Sequence, residues 1–236
     1  GRLNSIGLGQ IDLNNKDVAS AQANFAQATK DLKKKDFEEL LYVGKAYTNA
    51  TTPDYKKALE YLNKAKAISP MDAQVQLALG DAYYGDKNQN EAYAAYRNAY
   101  AADASLIRAK MQLGVLLKGA KAYTKAIEAF DEVVKTNATY GPVYRELAET
   151  YYYWANNEPK KDNEYIQKAL PAYEKYMNLT DYSLTSRMRH ADFLILAKDY
   201  KALEVEDKKI KKLDKVNPRI YRYLGYSAYK NGNVDV

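Results

Sequence analysis

The chain has 236 residues, no cysteine, one histidine, 24 tyrosines and a formal net charge of +6, from 36 Lys and Arg against 30 Asp and Glu. Without cysteine there are no disulfides, thiolate metal ligands or cysteine nucleophiles, and a lone imidazole makes no conventional zinc site. Unbroken apolar stretches are short, as at Phe193 to Ala197, and fall far below the roughly 20 residues that a membrane-spanning helix needs.

Taken in chain order, the sequence repeats itself. A small residue recurs at Gly9, Gly44, Gly80, Gly114, Ala148, Ala191 and Gly225, in steps of 34 to 36 residues apart from one step of 43 between Ala148 and Ala191. A bulky residue precedes it in most units (Leu8, Val43, Leu79, Leu113, Leu147, Leu224), with His190 as the exception. Three positions later comes a large residue: Tyr47, Tyr83, Leu117, Tyr151 and Leu194. Some twelve residues after the small position an alanine opens a second motif. It reads Ala21-x3-Phe25-x2-Ala28, then Ala58, Leu62 and Ala65, then Ala92, Tyr96 and Ala99, then Ala126, Phe130 and Val133, then Ala169, Tyr173 and Tyr176. Apolar residues at intervals of three and four indicate helices, and strand-type alternation persists nowhere. Turn signals at Asn14 to Asp17, Gly85 to Asn88, Gly119 and Asn231 to Asn233 separate a first helix from a second, and Pro70 and Pro218 close units.

This order of residue types resembles the tetratricopeptide repeat, whose 34-residue pattern is a bulky residue and Gly, then Tyr, then Ala, an aromatic, Ala and a terminal Pro. The resemblance covers nearly the whole chain. It implies an all-α, right-handed superhelical solenoid of antiparallel helix pairs, six pairs and one further helix over Arg219 to Lys230, in a single domain spanning 1–236. The units fall at about 2–35, 36–71, 72–105, 106–139, 140–182 and 183–217, with a partial unit at 218–236. Packing explains the residue types. A small residue on the first helix lets the second approach, the second-helix alanine receives it, and the aromatic fills the space between successive pairs.

Three departures stand out. About nine extra residues in the fifth unit lie around Asn156 to Asn163, beside the aromatic run Tyr151-Tyr152-Tyr153-Trp154; they read as a loop or lengthened helix, and alternatively as a binding feature. Pro171 falls inside the second helix of that unit, where a kink near Gln167 to Leu170 is expected. The chain ends at Asn231 to Val236, where the partner of the last helix should begin, which suggests a piece of a longer repeat protein.

No catalytic constellation is assembled, and no enzyme, metal or cofactor is expected. His190 stands at a packing position, and Gly7-Leu8-Gly9 lacks the third glycine and the Lys-Ser/Thr of a phosphate-binding loop. In the resembled family the first helices line a concave groove that takes a peptide or protein. Transferred unit by unit, this implies a partner-binding set of Lys45, Asp81, Tyr84, Arg108, Met111, Arg145, Glu149, Tyr152, Met188, Asp192 and Tyr226, with Leu77, Val115, Arg222 and Tyr229 beside them. Tyr offers contact area with a polar tip, Met adapts in shape and Arg grips carboxylates. Some members clamp a chaperone-tail carboxylate with Lys, Asn and Arg. Here Ile6 and Gln10 occupy the first two places, so that clamp is absent.

The expected function is a non-enzymatic scaffold for a protein or peptide partner, with no membrane span. A structural or self-associating spacer acting through Tyr223 and Tyr226 is the alternative. Nucleic-acid binding through Lys208 to Lys212 is a further one, disfavoured because the cations alternate with Asp and Glu. Tyr-, Asn- and Lys-rich composition suggests a bacterial source, and the missing cysteine favours the periplasm or cell envelope over the cytoplasm.

Overall fold

A computed structural model describes residues 1–180 and 182–233 of the chain. Among these residues there are 13 α-helices and one 3-10 turn. The helices are α1 Arg2–Asn14, α2 Val18–Ala28, α3 Glu38–Asn49, α4 Tyr55–Ile68, α5 Ala73–Gly85, α6 Gln89–Ala102, α7 Ile107–Gly119, α8 Tyr123–Thr136, α9 Gly141–Asn157, α10 Asp162–Leu179, α11 Leu184–Leu196, α12 Tyr200–Leu213 and α13 Pro218–Lys230. They follow as sequential antiparallel pairs, as the repeat predicts. The expected start of a further helix falls partly on residues 234–236, outside the described residues.

The chain divides into two compact units, Gly1–Leu116 and Leu117–Val236, with the division inside α7. In the first, α1, α3 and α5 lie side by side, and α2, α4 and α6 each pack on their own first helix. In the second, α8 packs on α9, α9 on α10, and contacts continue through α10, α11, α12 and α13 in turn. The motif alanines Ala21, Ala58, Ala92, Ala126 and Ala169 are fully buried.

The glycine seam is tighter than the sequence reading had it. A Cβ placed on Gly9 would lie 2.4 Å from the Phe25 ring, on Gly44 2.5 Å from Leu62 Cγ, and on Gly80 2.4 Å from the Tyr96 ring. The bulky residue of the second helix, rather than its alanine, therefore fills the space each glycine leaves. Phe25 also reaches the next pair, its ring 5.1 Å from Tyr47. At Gly225 the same position faces no described residue within 4 Å.

Turn chemistry also differs from expectation. Gly85 and Gly119 are the last residues of α5 and α7, and the left-handed residue of the turn is a lysine: Lys16, Lys87, Lys121 and Lys198, with φ of 65°, 64°, 60° and 59°. Gly232, with φ of 80°, holds the corresponding place after α13. Each turn closes with an amide reaching back five residues, as from Asp17 to Asp12, Asn88 to Tyr83, Ala122 to Leu117, Asp199 to Leu194 and Asn233 to Ala228. This is the Schellman closure of a helix C-terminus. Gly85 is required for space instead, because a Cβ there would sit 2.2 Å from the Tyr55 ring. Asp17, Asp54 and Asp199 then accept a backbone N–H as N-caps of α2, α4 and α12.

The additional residues of the fifth unit are helical. α9 ends nine residues beyond Ala148, whereas α1, α3, α5, α7, α11 and α13 end five beyond their small residue. α10 begins seven residues before Ala169, against three for the corresponding alanines of α2, α4, α6 and α8. Each helix has thus gained four residues, and the turn one. α10 runs without a break through Pro171, which is exposed next to exposed Gln167.

Candidate functional site

In the first unit, α1 and α3 enclose a cleft of about 320 Å³ lined by Leu3, Ile6, Gly7, Gln10, Tyr42, Lys45, Ala46 and Asn49. Leu3 is 64% exposed there, and the Lys45 amine stands 5.8 Å above the Tyr42 ring. Lys45 is the predicted site residue in this cleft; the apolar floor around it was not foreseen.

Asp81 and Arg108 come together, but on each other. The guanidinium donates two bonds of 2.8 Å to the two carboxylate oxygens, and the Tyr96 hydroxyl donates a third of 2.8 Å. Burial, then the Asp81 charge, pushes the Tyr96 phenol far above its ordinary range. Tyr84 is exposed, while Met111 and Leu77 are largely buried, 9% and 8% exposed. A first helix sandwiched between neighbours hides more of its circumference than a repeat pattern reveals.

In the second unit the expected pair Arg145 and Glu149 belongs to an ion network. Lys118 donates to Glu146 at 2.6 Å and to Glu149 at 2.9 Å, and Arg145 donates to the other Glu146 oxygen at 3.2 Å. Burial works against the Lys118 charge, yet the two carboxylates hold its amine above the usual range. Asp192 repeats the theme of Asp81, with both oxygens accepting from Arg219 Nη2 at 2.8 Å and one also from the Tyr223 hydroxyl.

Tyr152 and Asp192 share a cleft of about 300 Å³ with Arg189, Ile195 and Leu196. The Tyr152 ring meets Phe193 edge-on at 6.0 Å, and the Arg189 guanidinium lies 4.9 Å from Tyr152 and 5.1 Å from Phe193. Met188 is half-buried, with Asn217 against its sulfur. Tyr226 stands apart, edge-on to Tyr200 at 5.7 Å. Arg189 escaped the sequence reading, although an Arg four residues before Phe193 on one helix was the available signal.

Three other features bear on function. Tyr223 is buried, so of the two tyrosines named for self-association only Tyr226 is exposed, beside exposed Tyr221 and Tyr229. Lys208 and Lys209 pair with Glu204 and Glu206, and Lys211 covers the Tyr221 ring, which breaks up the lysine stripe that nucleic-acid binding would use. Trp154, from the aromatic run, is stacked on Tyr165 at 4.4 Å and donates to Glu158 at 2.6 Å, so much of its surface is spent on the α9–α10 junction.

His190 is half-buried, Nε2 3.3 Å from Glu174 and Nδ1 3.8 Å from Glu206. Burial raises Glu206, but the nearby His190 imidazole and the bond from Arg187 overcome it and hold the carboxyl at about 2. Its neighbour Asp207 is fully buried with, among the described residues, only Ser227 donating to it, and burial pushes it up to about 7. Among the described residues no group of three or more His, Cys, Asp or Glu side chains is placed to hold a metal ion. No described helix is long and apolar enough to cross a membrane.

The fold that these paired helices and glycine seams define is the tetratricopeptide-repeat fold. No family model matches the chain, and no curated protein matches it. Solved structures do. The Pseudomonas aeruginosa pilF protein is 19% identical over 95% of this chain and 97% of its own, with a TM-score of 0.70. PilW, described as a widely conserved type IV pilus biogenesis factor, is 17% identical over 94% of this chain and 98% of its own, with a TM-score of 0.74. The MamA protein is 21% identical over 77% of this chain and 96% of its own, with a TM-score of 0.58.

Proposed function

We propose that the chain is a non-enzymatic scaffold whose first helices hold a peptide or protein partner. The observation that carries this reading is a cleft open on first helices in each unit, with Tyr42 and Lys45 in one and Tyr152 and Ile195 in the other, lined by aromatic and aliphatic groups. Such surfaces gain affinity from burying rings and aliphatic chains. Several charges first assigned to partner binding are engaged within the protein, so the reading now rests on the aromatic and aliphatic lining more than on Arg108, Arg145 or Glu149.

The seven units are taken as one repeat domain over 1–236, which a single coincident unfolding transition by two probes would support. A bacterial periplasmic or envelope setting fits the absence of cysteine. The likeness to a pilus biogenesis factor makes surface-assembly proteins the first clients to test.

Photo-crosslinking decides the question. A benzophenone amino acid at Tyr42 or Tyr152 should capture the same partner in cells, while the same group at exposed Lys66 or Lys212 on second helices should not. Capture only from the second-helix positions overturns the proposal.

A further inference from the structure

We propose that the α9–α11 cleft recognises a carboxylate, with Arg189 as the receiving group, and that its ligand is an Asp or Glu side chain flanked by a large apolar residue in a partner peptide. This inference rests on the scaffold reading and names the chemistry of one of its clefts.

Three other arginines of the second unit are already engaged. Arg145 pairs with Glu146 at 3.2 Å, Arg187 with Glu206 at 2.7 Å and Arg219 with Asp192 at 2.8 Å. Arg189 is different. Among the described residues its guanidinium makes no hydrogen bond or ion pair, and its contacts are the faces of Tyr152 and Phe193. It is half-buried, so part of its hydration is lost with no carboxylate in return.

Two aromatic faces orient the guanidinium without using its N–H groups. A planar fork held in this way is preorganised for the two oxygens of a carboxylate, which a lysine amine would not be. Asp192 lines the same cleft, but its oxygens accept from Arg219 and Tyr223, so its charge is matched and the Arg189 charge is left over. One guanidinium matches one carboxylate. Ile195 and Leu196, the latter 43% exposed, form the apolar wall beside it and set the requirement for an adjacent large apolar side chain.

The test is a selection of random nonapeptides displayed on phage against the full chain, followed by titration of the best synthetic peptide. Enriched sequences should share an Asp or Glu next to Leu, Ile, Phe or Tyr. Replacing that acid by its amide, or making Arg189→Gln, should weaken binding about ten- to a hundredfold, the range for a charge-assisted pair. Arg97→Gln, an exposed arginine on the second helix α6, should leave it within twofold.

A charge swap guards against misfolding. Arg189→Glu should lose the acidic peptide and bind the version with Lys in place of the acid. Enriched peptides without an acid, or binding indifferent to Arg189→Gln, overturn the carboxylate assignment while leaving the scaffold reading intact if the peptide still crosslinks at Tyr152. Peptides that crosslink only on second helices overturn both.

Discussion

Gly80 and Gly225 hold the same place in the repeat and should respond in opposite directions to Ala. At Gly80 the new methyl would lie 2.4 Å and 2.5 Å from two Tyr96 ring carbons, over 1 Å inside the roughly 3.5 Å of an ordinary carbon contact. Tyr96 has little freedom to retreat, because it is buried and its hydroxyl is bonded to Asp81 at 2.8 Å. Overpacking of this kind costs about 1–3 kcal/mol, and strain on the Tyr96–Asp81 bond adds about 1 kcal/mol. The better helix propensity of Ala returns about 1 kcal/mol, so Gly80→Ala should destabilise by about 1–3 kcal/mol. At Gly225 there is no clash with any described residue, only the propensity gain, and Gly225→Ala should stabilise by about 0.5–1 kcal/mol. Urea unfolding followed by circular dichroism measures both. A Tyr96→Leu background should recover part of the Gly80→Ala loss. Equal responses at the two glycines, or no coupling to Tyr96, would refute the packing argument.

The left-handed lysines supply a second test: Lys87→Gly and Lys121→Gly should each raise stability by up to about 1 kcal/mol, whereas Gly232→Ala should lower it by a similar amount, as read from melting temperatures. Asp207 should impose a pH slope. Its folded pKa of about 7 lies above the usual value near 4, so its contribution is full below about 4 and is lost as pH rises through about 7. Asp207→Asn should therefore be the more stable protein at pH 8, with the difference vanishing by about pH 4. Glu206, held at about 2, acts in the opposite sense: its contribution is present above about 4 and disappears only as pH falls through about 2. Finally, Asp81→Ala should cost about 1–3 kcal/mol by leaving the buried Tyr96 hydroxyl without its acceptor, while Arg108→Ala, an exposed partner, should cost under about 1 kcal/mol.

The helices were legible because the repeat states them seven times, with Gly9, Gly44 and Gly80 marking the seams and Ala58 or Ala92 the helices that enter them. What the pattern could not show is how one unit answers the next. Arg108 and Asp81 each looked like free groove charges, yet lie 27 positions apart in sequence and meet across neighbouring first helices. Glu149 was absorbed by Lys118 in the same manner, and Arg145 by Glu146. Met111 is largely buried, because burial depends on both flanking helices. Arg189 was passed over because its place between two rings, with no carboxylate among the described residues, is visible only in three dimensions. Lysine in a left-handed turn runs against propensity, and the backbone closure that holds Lys16 and Lys87 there leaves no trace in local composition.

The lengthened fifth pair carries a lesson about how such a chain can grow. Four residues turn an α-helix through roughly 400°, only some 40° past a full revolution, and advance it by about 6 Å. Both helices of the pair took that quantum, so every side chain beyond the insertion kept the heading it had before. One or two additional residues in either helix alone would have rotated Tyr165 and Ile166 out of the core they now share with Ala155. Length in this architecture is therefore discrete: a repeat can be stretched by whole turns in matched pairs, and the odd spacing of 43 is what one such step looks like from outside.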